Sequence, residues 1–256
     1  MSGNTVTNLS AVAVALTATF LSQGAHAEEL IAPVRPFADM VVASLDDLPD
    51  ARKELLRDAA DYVVRRAEDG ETVKMVFVCT HNSRRSHLSQ IWFQAAAAYF
   101  DVPNVESYSG GTEATACNIR TIHALRRAGL SIVATNQGSN PLYLTQYSDS
   151  LPPIRTYSKI YSTDGNPSSG FAAMMCCSDA DRKCPNVRGA DARFALHYQD
   201  PKVSDNTTLE SATYDERNFQ IAQEMFFILS EASRQLKESR ESGNSSRTGT
   251  SVESDG

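Results

Sequence analysis

The sequence predicts an α/β fold of three layers, α/β/α, in which helices flank a small parallel sheet of about four strands. Short apolar runs alternate along the chain with longer helical patterns, which is typical of βαβ units. Reactive or charged side chains follow three of the apolar runs, as expected where parallel strands end at one edge of a sheet. The strand candidates are residues 74–79, 105–109, 171–175 and 193–198.

Helical patterns supply the outer layers. Residues 37–69 predict two N-terminal helices, and amphipathic patterns over 86–100, 117–130 and 215–237 predict three more. The stretch 134–170 is rich in Gly, Pro, Ser and Asn, which predicts a long, weakly structured connection. Loops of that length inside a domain often carry function.

Four segments follow from these patterns. Residues 1–27 form a secretory signal peptide or a disordered extension, 28–70 an N-terminal helical extension, and 74–236 the α/β domain. Residues 237–256 have almost no apolar content and predict a disordered tail.

The N-terminus leaves two locations open. Residues 9–21 are uncharged and precede the small-x-small site AHA at 25–27, as in a signal peptide, but the first eight residues contain no Lys or Arg. Cleavage after Ala27 would give an exported or periplasmic protein; without a signal the protein would be cytoplasmic. The apolar run is shorter than the ~20 residues that cross a bilayer, so no stable membrane insertion is expected.

Charge and cysteine usage narrow the function. A net charge of −7 argues against a nucleic-acid partner, yet a local positive pocket could still hold a small anion. The five cysteines are unevenly spaced and do not predict a disulfide framework in a chain of 256 residues. Reduced, reactive or metal-binding thiols are the better interpretation.

Three groups of side chains are expected to converge at one edge of the sheet. Cys79 ends the first apolar run, Cys176 and Cys177 follow FAAMM, and Asp200 follows RFALHY. Beyond Cys79 the chain enters a helix, so its backbone N–H groups can hold an anion and favour a nucleophilic thiolate. The planar fork of Arg85 suits two oxygens of a tetrahedral oxyanion.

The segment CTHNSRRS (79–86) resembles the Cys-x5-Arg-Ser loop of the low-molecular-weight protein tyrosine phosphatases, and HYQDP (197–201) resembles their Asp-Pro pair. VESYSGGT followed by NIRTIHALRRAGL is similar to the second strand and helix of that family. The resemblance covers about residues 74–233 and implies a phosphotyrosine phosphatase I-like fold. It also implies a nucleophile at Cys79, an anion-binding guanidinium at Arg85 and a proton donor at Asp200. The remaining loop residues would bind the oxyanion: Thr80, His81, Asn82, Ser83, Arg84 and Ser86.

The sequence departs from that family at His81 and Arg84, where glycine and a second cysteine are common. Both substitutions make the rim of the loop bulkier and more basic, so the size and type of substrate stay open.

The segment CSDADRKCP (177–185) is similar to the cysteine segment of thioredoxin-coupled arsenate reductases. This resemblance implies a thiol relay from Cys79 to Cys177 to Cys184, with an external thioredoxin-like dithiol as reductant and no bound cofactor. Residues 178–183 predict a short helix with Ser178 or Asp179 as its cap.

Three functions follow. The leading one is arsenate reduction; the alternative is hydrolysis of a phosphate monoester through phospho-Cys79. A non-catalytic oxyanion or redox sensor is the third, although such a sensor has no use for the acid at Asp200. Cys177 and Cys184 lack the histidine pair of a zinc site, so no metal is expected. Cys117 and Cys176 are interpreted as core packing.

Overall fold

The computed structural model describes residues 30–184 and 186–248 of the chain. Within these residues the elements occur in the following order: α1 (Arg35–Ala43), α2 (Asp50–Glu68), β1 (Val73–Cys79), α3 (Arg85–Tyr99), β2 (Val105–Gly111), α4 (Ile119–Arg127), β3 (Ser131–Ala134), β4 (Tyr143–Gln146), β5 (Ile154–Thr156), β6 (Phe171–Met175), α5 (Ser178–Lys183), β7 (Ala190–Ala195) and α6 (Glu210–Thr248). Single 3₁₀ turns at Leu45–Asp47 and Pro201–Ser204 complete the described chain.

The main sheet is parallel and has the strand order β2-β1-β6-β7. The central strands β1 and β6 consist almost entirely of buried apolar residues, as strands covered on both faces must. Helices flank this sheet, which confirms the α/β/α arrangement predicted from the sequence.

Helices α2 and α3 pack together with α6 over one face of the sheet. Aromatic contacts define that face: Phe77 of β1 meets Phe93 of α3 with ring centroids 5.5 Å apart, and Phe194 of β7 meets Tyr62 of α2 at 6.2 Å. The N-terminal helices share this core, since Phe37 of α1 stacks on Trp92 of α3. They are therefore an integral part of the helical layer.

The connection 134–170 is more ordered than the sequence predicted. Strands β3, β4 and β5 form a second, antiparallel sheet that covers residues 131–156. Strands of three or four residues carry too little periodic signal to stand out from a Gly-, Pro- and Ser-rich background. Cross-strand pairing supplies their order.

The expected disordered tail is wrong over residues 237–248, because α6 continues as one helix to Thr248. At the start of this extension Arg234 pairs with Glu238 at 2.8 Å, one turn later on the helix. Residues 249–256 and the predicted signal segment 1–27 lie outside the described residues. Among those described, no helix is both long and apolar enough to cross a membrane.

Candidate active site

Cys79 lies at the carboxyl end of β1 and is only 2% exposed. Its Sγ is 3.1 Å from the Oγ of Ser86, and that oxygen accepts a hydrogen bond of 2.9 Å from the side-chain amide of Asn82. Because the Ser86 oxygen already accepts from Asn82, its hydroxyl proton is free to donate to the sulfur. This orientation directs a hydrogen-bond donor at the Cys79 sulfur.

The loop between β1 and α3 is shaped by Asn82, which has a φ of 44°. Asparagine is one of the few residues with a side chain that adopt this left-handed conformation readily. The side-chain Oδ1 of Asn82 also accepts a hydrogen bond of 2.8 Å from the backbone N–H of Lys159, which fixes the turn. Gly111 at the end of β2 lets the loop approach, since a Cβ there would lie 2.8 Å from the Asn82 nitrogen.

Residues 157–161 brace the same loop from outside. Ser158 Oγ donates to the carbonyl oxygen of His81 at 2.9 Å, and the backbone N–H of Gly111 donates to the carbonyl of Lys159 at 2.8 Å. Tyr161 returns a bond of 3.0 Å to the Gly111 carbonyl. The last part of the long connection is thus a structural support for the Cys79 loop.

Arg85 opens α3 and contacts Asp200. Its Nη2 donates to Asp200 Oδ2 at 2.8 Å, and its Nη1 donates to the Tyr198 carbonyl at 3.0 Å. The Nε of Arg85 is buried and has no hydrogen-bond partner among the described residues. Asp200 keeps 27% of its side chain exposed and caps the following turn by accepting from the Lys202 N–H at 3.1 Å. A guanidinium with an unused donor and a carboxylate with solvent access therefore lie side by side.

Arg84 has different side-chain hydrogen-bond partners from Arg85. Its backbone belongs to the loop, but its Nε donates to the Tyr214 hydroxyl of α6 at 2.7 Å, and the hydroxyl in turn donates to Asp205 at 2.9 Å. Burial raises the pKa of Tyr214 to about 12; Arg84 counteracts this rise and Asp205 adds to it. Of the two residues expected to form the rim of the loop, His81 is half-exposed, whereas the Arg84 side chain is only 10% exposed.

Cys177 and Cys184 lie at the two ends of α5, as predicted. Cys177 Sγ is 3.5 Å from Thr80 Oγ1 and accepts from the Ala180 N–H at 3.4 Å. The cap of this helix is thus the sulfur of Cys177, and not Ser178 or Asp179. Cys184 is partly exposed, and all five cysteines are free thiols.

Two further buried thiols lie near the site. Burial strongly raises the pKa of Cys117 and of Cys176, and the neighbouring Cys79 adds to both shifts. His87, one residue beyond Ser86, is fully buried with its Nδ1 3.1 Å from the Ser109 hydroxyl. Burial, together with the charge of Lys159, lowers the pKa of His87 to about 3. His87 is therefore neutral at pH 7.

Sequence patterns did not reveal Tyr198, Tyr214, Asp205 or Lys159 as parts of the site. All four contact residues 82–85 from distant segments, Tyr198 and Lys159 through their backbones and the other two through their side chains. No local motif marks them. Among the described residues, no cluster of three or more His, Cys, Asp or Glu side chains could hold a metal ion.

No protein-family model and no curated protein matches the chain. Solved structures do. A low-molecular-weight protein tyrosine phosphatase from T. tengcongensis is 16% identical over 64% of this chain and 100% of its own, with a TM-score of 0.41. A YwlE mutant from Bacillus subtilis is 18% identical over 65% of this chain and 99% of its own, with a TM-score of 0.42. The YwlE arginine phosphatase from Geobacillus stearothermophilus is 14% identical over 66% of this chain and 96% of its own, with a TM-score of 0.40.

These likenesses concern the fold. The chain's own geometry combines a parallel sheet of order β2-β1-β6-β7, a Cys-x5-Arg loop at the end of β1, and an aspartate hydrogen-bonded to the arginine.

Proposed function

We propose that the protein is a phosphatase that hydrolyses phosphate monoesters through a phospho-Cys79 intermediate. The main support is the 2.8 Å contact between Arg85 and Asp200 beside the Cys79 loop. Because Cys79 Sγ lies 3.1 Å from Ser86, the residue after Arg85, this contact supports a site in which a guanidinium, a carboxyl group and a thiol act together. The sequence alone ranked arsenate reduction first; the geometry favours the phosphatase because that reaction needs only groups already assembled.

In the first half-reaction the loop N–H groups and Arg85 hold the phosphoryl oxygens. The free Nε of Arg85 supplies one donor, and Nη2 supplies another as it leaves Asp200. The Cys79 thiolate attacks phosphorus, the ester bond breaks, and protonated Asp200 donates its proton to the departing alkoxide or phenoxide.

In the second half-reaction Asp200 is a carboxylate and accepts a proton from an incoming water. The water oxygen attacks phosphorus, the sulfur–phosphorus bond breaks, and inorganic phosphate leaves. Ser86 stabilises the departing Cys79 thiolate through its 3.1 Å hydrogen bond. The enzyme then returns to its starting state.

Arsenate reduction is the second candidate, because Cys177 touches the loop at Thr80 and Cys184 lies one short helix away. In this reaction the Cys79 thiolate attacks arsenate, one arsenic–oxygen bond breaks, and the departing oxygen leaves as water with a proton from Asp200. The Cys177 thiolate then attacks the Cys79 sulfur. Arsenic(V) takes the sulfur–arsenic electron pair and leaves as arsenite, while a Cys79–Cys177 disulfide forms. Cys184 then attacks Cys177 and frees Cys79, and a thioredoxin-like dithiol reduces the Cys177–Cys184 bond.

The test is a parallel assay of one preparation for p-nitrophenyl phosphate hydrolysis and for thioredoxin-dependent arsenate consumption. We expect phosphate ester hydrolysis that Cys79→Ser abolishes, since both mechanisms begin with that thiolate. Cys117→Ser is the matched control, because Cys117 is equally buried but has no role in either reaction. Hydrolysis that persists in Cys79→Ser would refute both candidates.

Cys177→Ser and Cys184→Ser separate the two. The phosphatase reaction does not use these thiols, so hydrolysis should stay within roughly tenfold of the wild type. Multiple-turnover arsenate reduction by the wild type that both variants lose would establish the reductase instead.

A further inference from the structure

The geometry points to Cys176 as a resolving thiol: we propose that oxidised Cys79 is captured as a Cys79–Cys176 disulfide across β1 and β6, a modification site that protects the nucleophile.

Strand register places the two residues opposite each other. Val78 pairs with Met175 in the parallel ladder of β1 and β6. The ladder continues one step further, because the Cys176 N–H donates to the Val78 carbonyl at 2.7 Å. In a parallel pair this bond sets Cys176 beside Cys79.

The spacing of such a pair suits a disulfide. Neighbouring strands lie about 4.8 Å apart. The Cα atoms of disulfide-linked cysteines are usually about 4.4–6.8 Å apart. Rotation about the two Cα–Cβ bonds is therefore enough to join Cys79 and Cys176.

Both sulfurs also face the same helix. Phe77, two residues before Cys79, contacts Phe93 of α3, so side chains of this parity in β1 lie on the α3 face. Cys79 Sγ lies 3.1 Å from the hydroxyl of Ser86 on α3, and Cys176 Sγ lies 3.6 Å from that of Ser89. Residues three apart on a helix are surface neighbours.

Cys177 lies on the other face of the sheet. Alternation along a strand turns it away from Cys176, and its contact with Thr80 rather than Cys79 agrees with that. The thiol closest to Cys79 in register is thus the one that the relay leaves unused. Cys177 must move to reach Cys79, whereas Cys176 only has to turn.

The chemistry needs a peroxide as oxidant. The Cys79 thiolate attacks one peroxide oxygen, the O–O bond breaks, and Cys79 becomes a sulfenic acid as hydroxide leaves. The Cys176 sulfur then attacks the Cys79 sulfur and displaces that hydroxyl group as water, which takes the Cys176 proton. Both sulfurs are oxidised, and the peroxide is reduced to two water molecules.

Burial fits this order of events. Cys176 is fully buried, and burial raises its pKa, so it stays a protonated thiol and does not react with peroxide itself. It reacts only with a sulfenic acid formed beside it. The resulting disulfide is reversed by a dithiol, whereas a sulfenic acid left alone proceeds to the irreversible sulfinic acid.

The experiment treats the reduced full chain with a small excess of hydrogen peroxide and maps disulfides by mass spectrometry without reduction. Trypsin places Cys79 in the peptide 75–84, and Cys176 and Cys177 together in 160–182. Fragmentation of the cross-linked wild-type peptides between residues 176 and 177 identifies the sulfur involved. We expect Cys176.

Variants give a second readout that does not depend on the enzyme's substrate. The cross-link should disappear in Cys176→Ser and persist in the controls Cys177→Ser and Cys117→Ser. Dithiothreitol should restore the Cys79 thiol of the oxidised wild type, whereas in Cys176→Ser the recovered thiol should fall roughly fivefold or more as sulfinic acid accumulates. A cross-link to Cys177 or Cys117 in the wild type, or irreversible oxidation of Cys79 there, would overturn the proposal.

Discussion

Arg85 donates to Asp200 through a hydrogen bond of 2.8 Å between Nη2 and Oδ2. The two residues are far apart in sequence, and the contact joins the start of α3 to the turn after β7. In the proposed mechanism this contact joins the anion-binding group to the proton donor. An incoming oxyanion must compete with Asp200 for this guanidinium, which couples substrate binding to release of the acid.

Replacing Arg85 with lysine should lower kcat/KM by roughly 10²–10³-fold, because an ammonium cannot make two parallel bonds to an oxyanion. Arg84→Lys is the matched control: the Arg84 Nε donates to Tyr214 and lies 3.8 Å from Asp200 Oδ1, and lysine keeps the positive charge there, so the loss should stay below roughly tenfold. Steady-state kinetics with p-nitrophenyl phosphate measures both. Equal losses in the two variants would mean that Arg84 shares the anion.

Asp200→Asn should lower kcat by roughly 10²–10⁴-fold and leave KM nearly unchanged, since an amide cannot donate the proton that the leaving group needs. Asp205→Asn is the control, because Asp205 contacts Arg84 and Tyr214 rather than Arg85. The kcat of substrates with better leaving groups should be less affected, since they need less protonation. A defect confined to KM would show that Asp200 only positions Arg85.

Formation of a Cys177–Cys184 disulfide should unwind α5. In the reduced protein residues 178–183 are helical, so residues seven apart lie about 10.5 Å from each other along the axis. A disulfide requires Cα atoms within about 7 Å. Amide hydrogen exchange should therefore show loss of protection at Ala180, Asp181 and Cys184 on oxidation. Cys184→Ser provides the comparison, and unchanged protection in the oxidised wild type would contradict the switch.

Protonation of His87 should destabilise the fold below pH 6.5. Its folded-state pKa is lowered to about 3 by burial, whereas an unfolded histidine titrates near its ordinary value of 6.5. Between these values the unfolded state binds one more proton, so the free energy of unfolding falls as pH decreases, by up to about 1.4 kcal/mol per pH unit. Urea unfolding from pH 7.5 to 4.5 measures this slope. In His87→Gln the free energy of unfolding should depend less steeply on pH, by the contribution of one proton. Identical slopes in the variant and the wild type would show that His87 does not titrate.

Local sequence predicted the parts of the site that depend on consecutive residues. The apolar run before Cys79 makes a buried strand, and the polar residues up to Ser86 turn the chain into α3. Helix α5 between Cys177 and Cys184 follows from local preference as well. The sequence also predicted that Asp200 and Cys79 follow strands ending at one edge of the sheet; the contact of Asp200 with Arg85 was not predicted.

Contacts between distant segments decided the rest. The sequence predicted that Arg84 lies on the rim of the loop. In the structure its Nε instead donates to Tyr214 of α6, more than a hundred residues later in the chain. Order in β3, β4 and β5 comes from cross-strand pairing, and support of the loop by Ser158 comes from packing. None of these partners is encoded by a local pattern.

The sequence by itself determined the strand–loop–helix unit at Cys79, because short-range periodicity, turn residues and helix preference act within a few residues of one another. Only the tertiary structure decided which cysteine faces the nucleophile. Two adjacent thiols, Cys176 and Cys177, must lie on opposite faces of the sheet, yet their order in the chain does not say which face α3 covers. The register of β6 against β1 settles it, and that register is fixed by packing across the whole core.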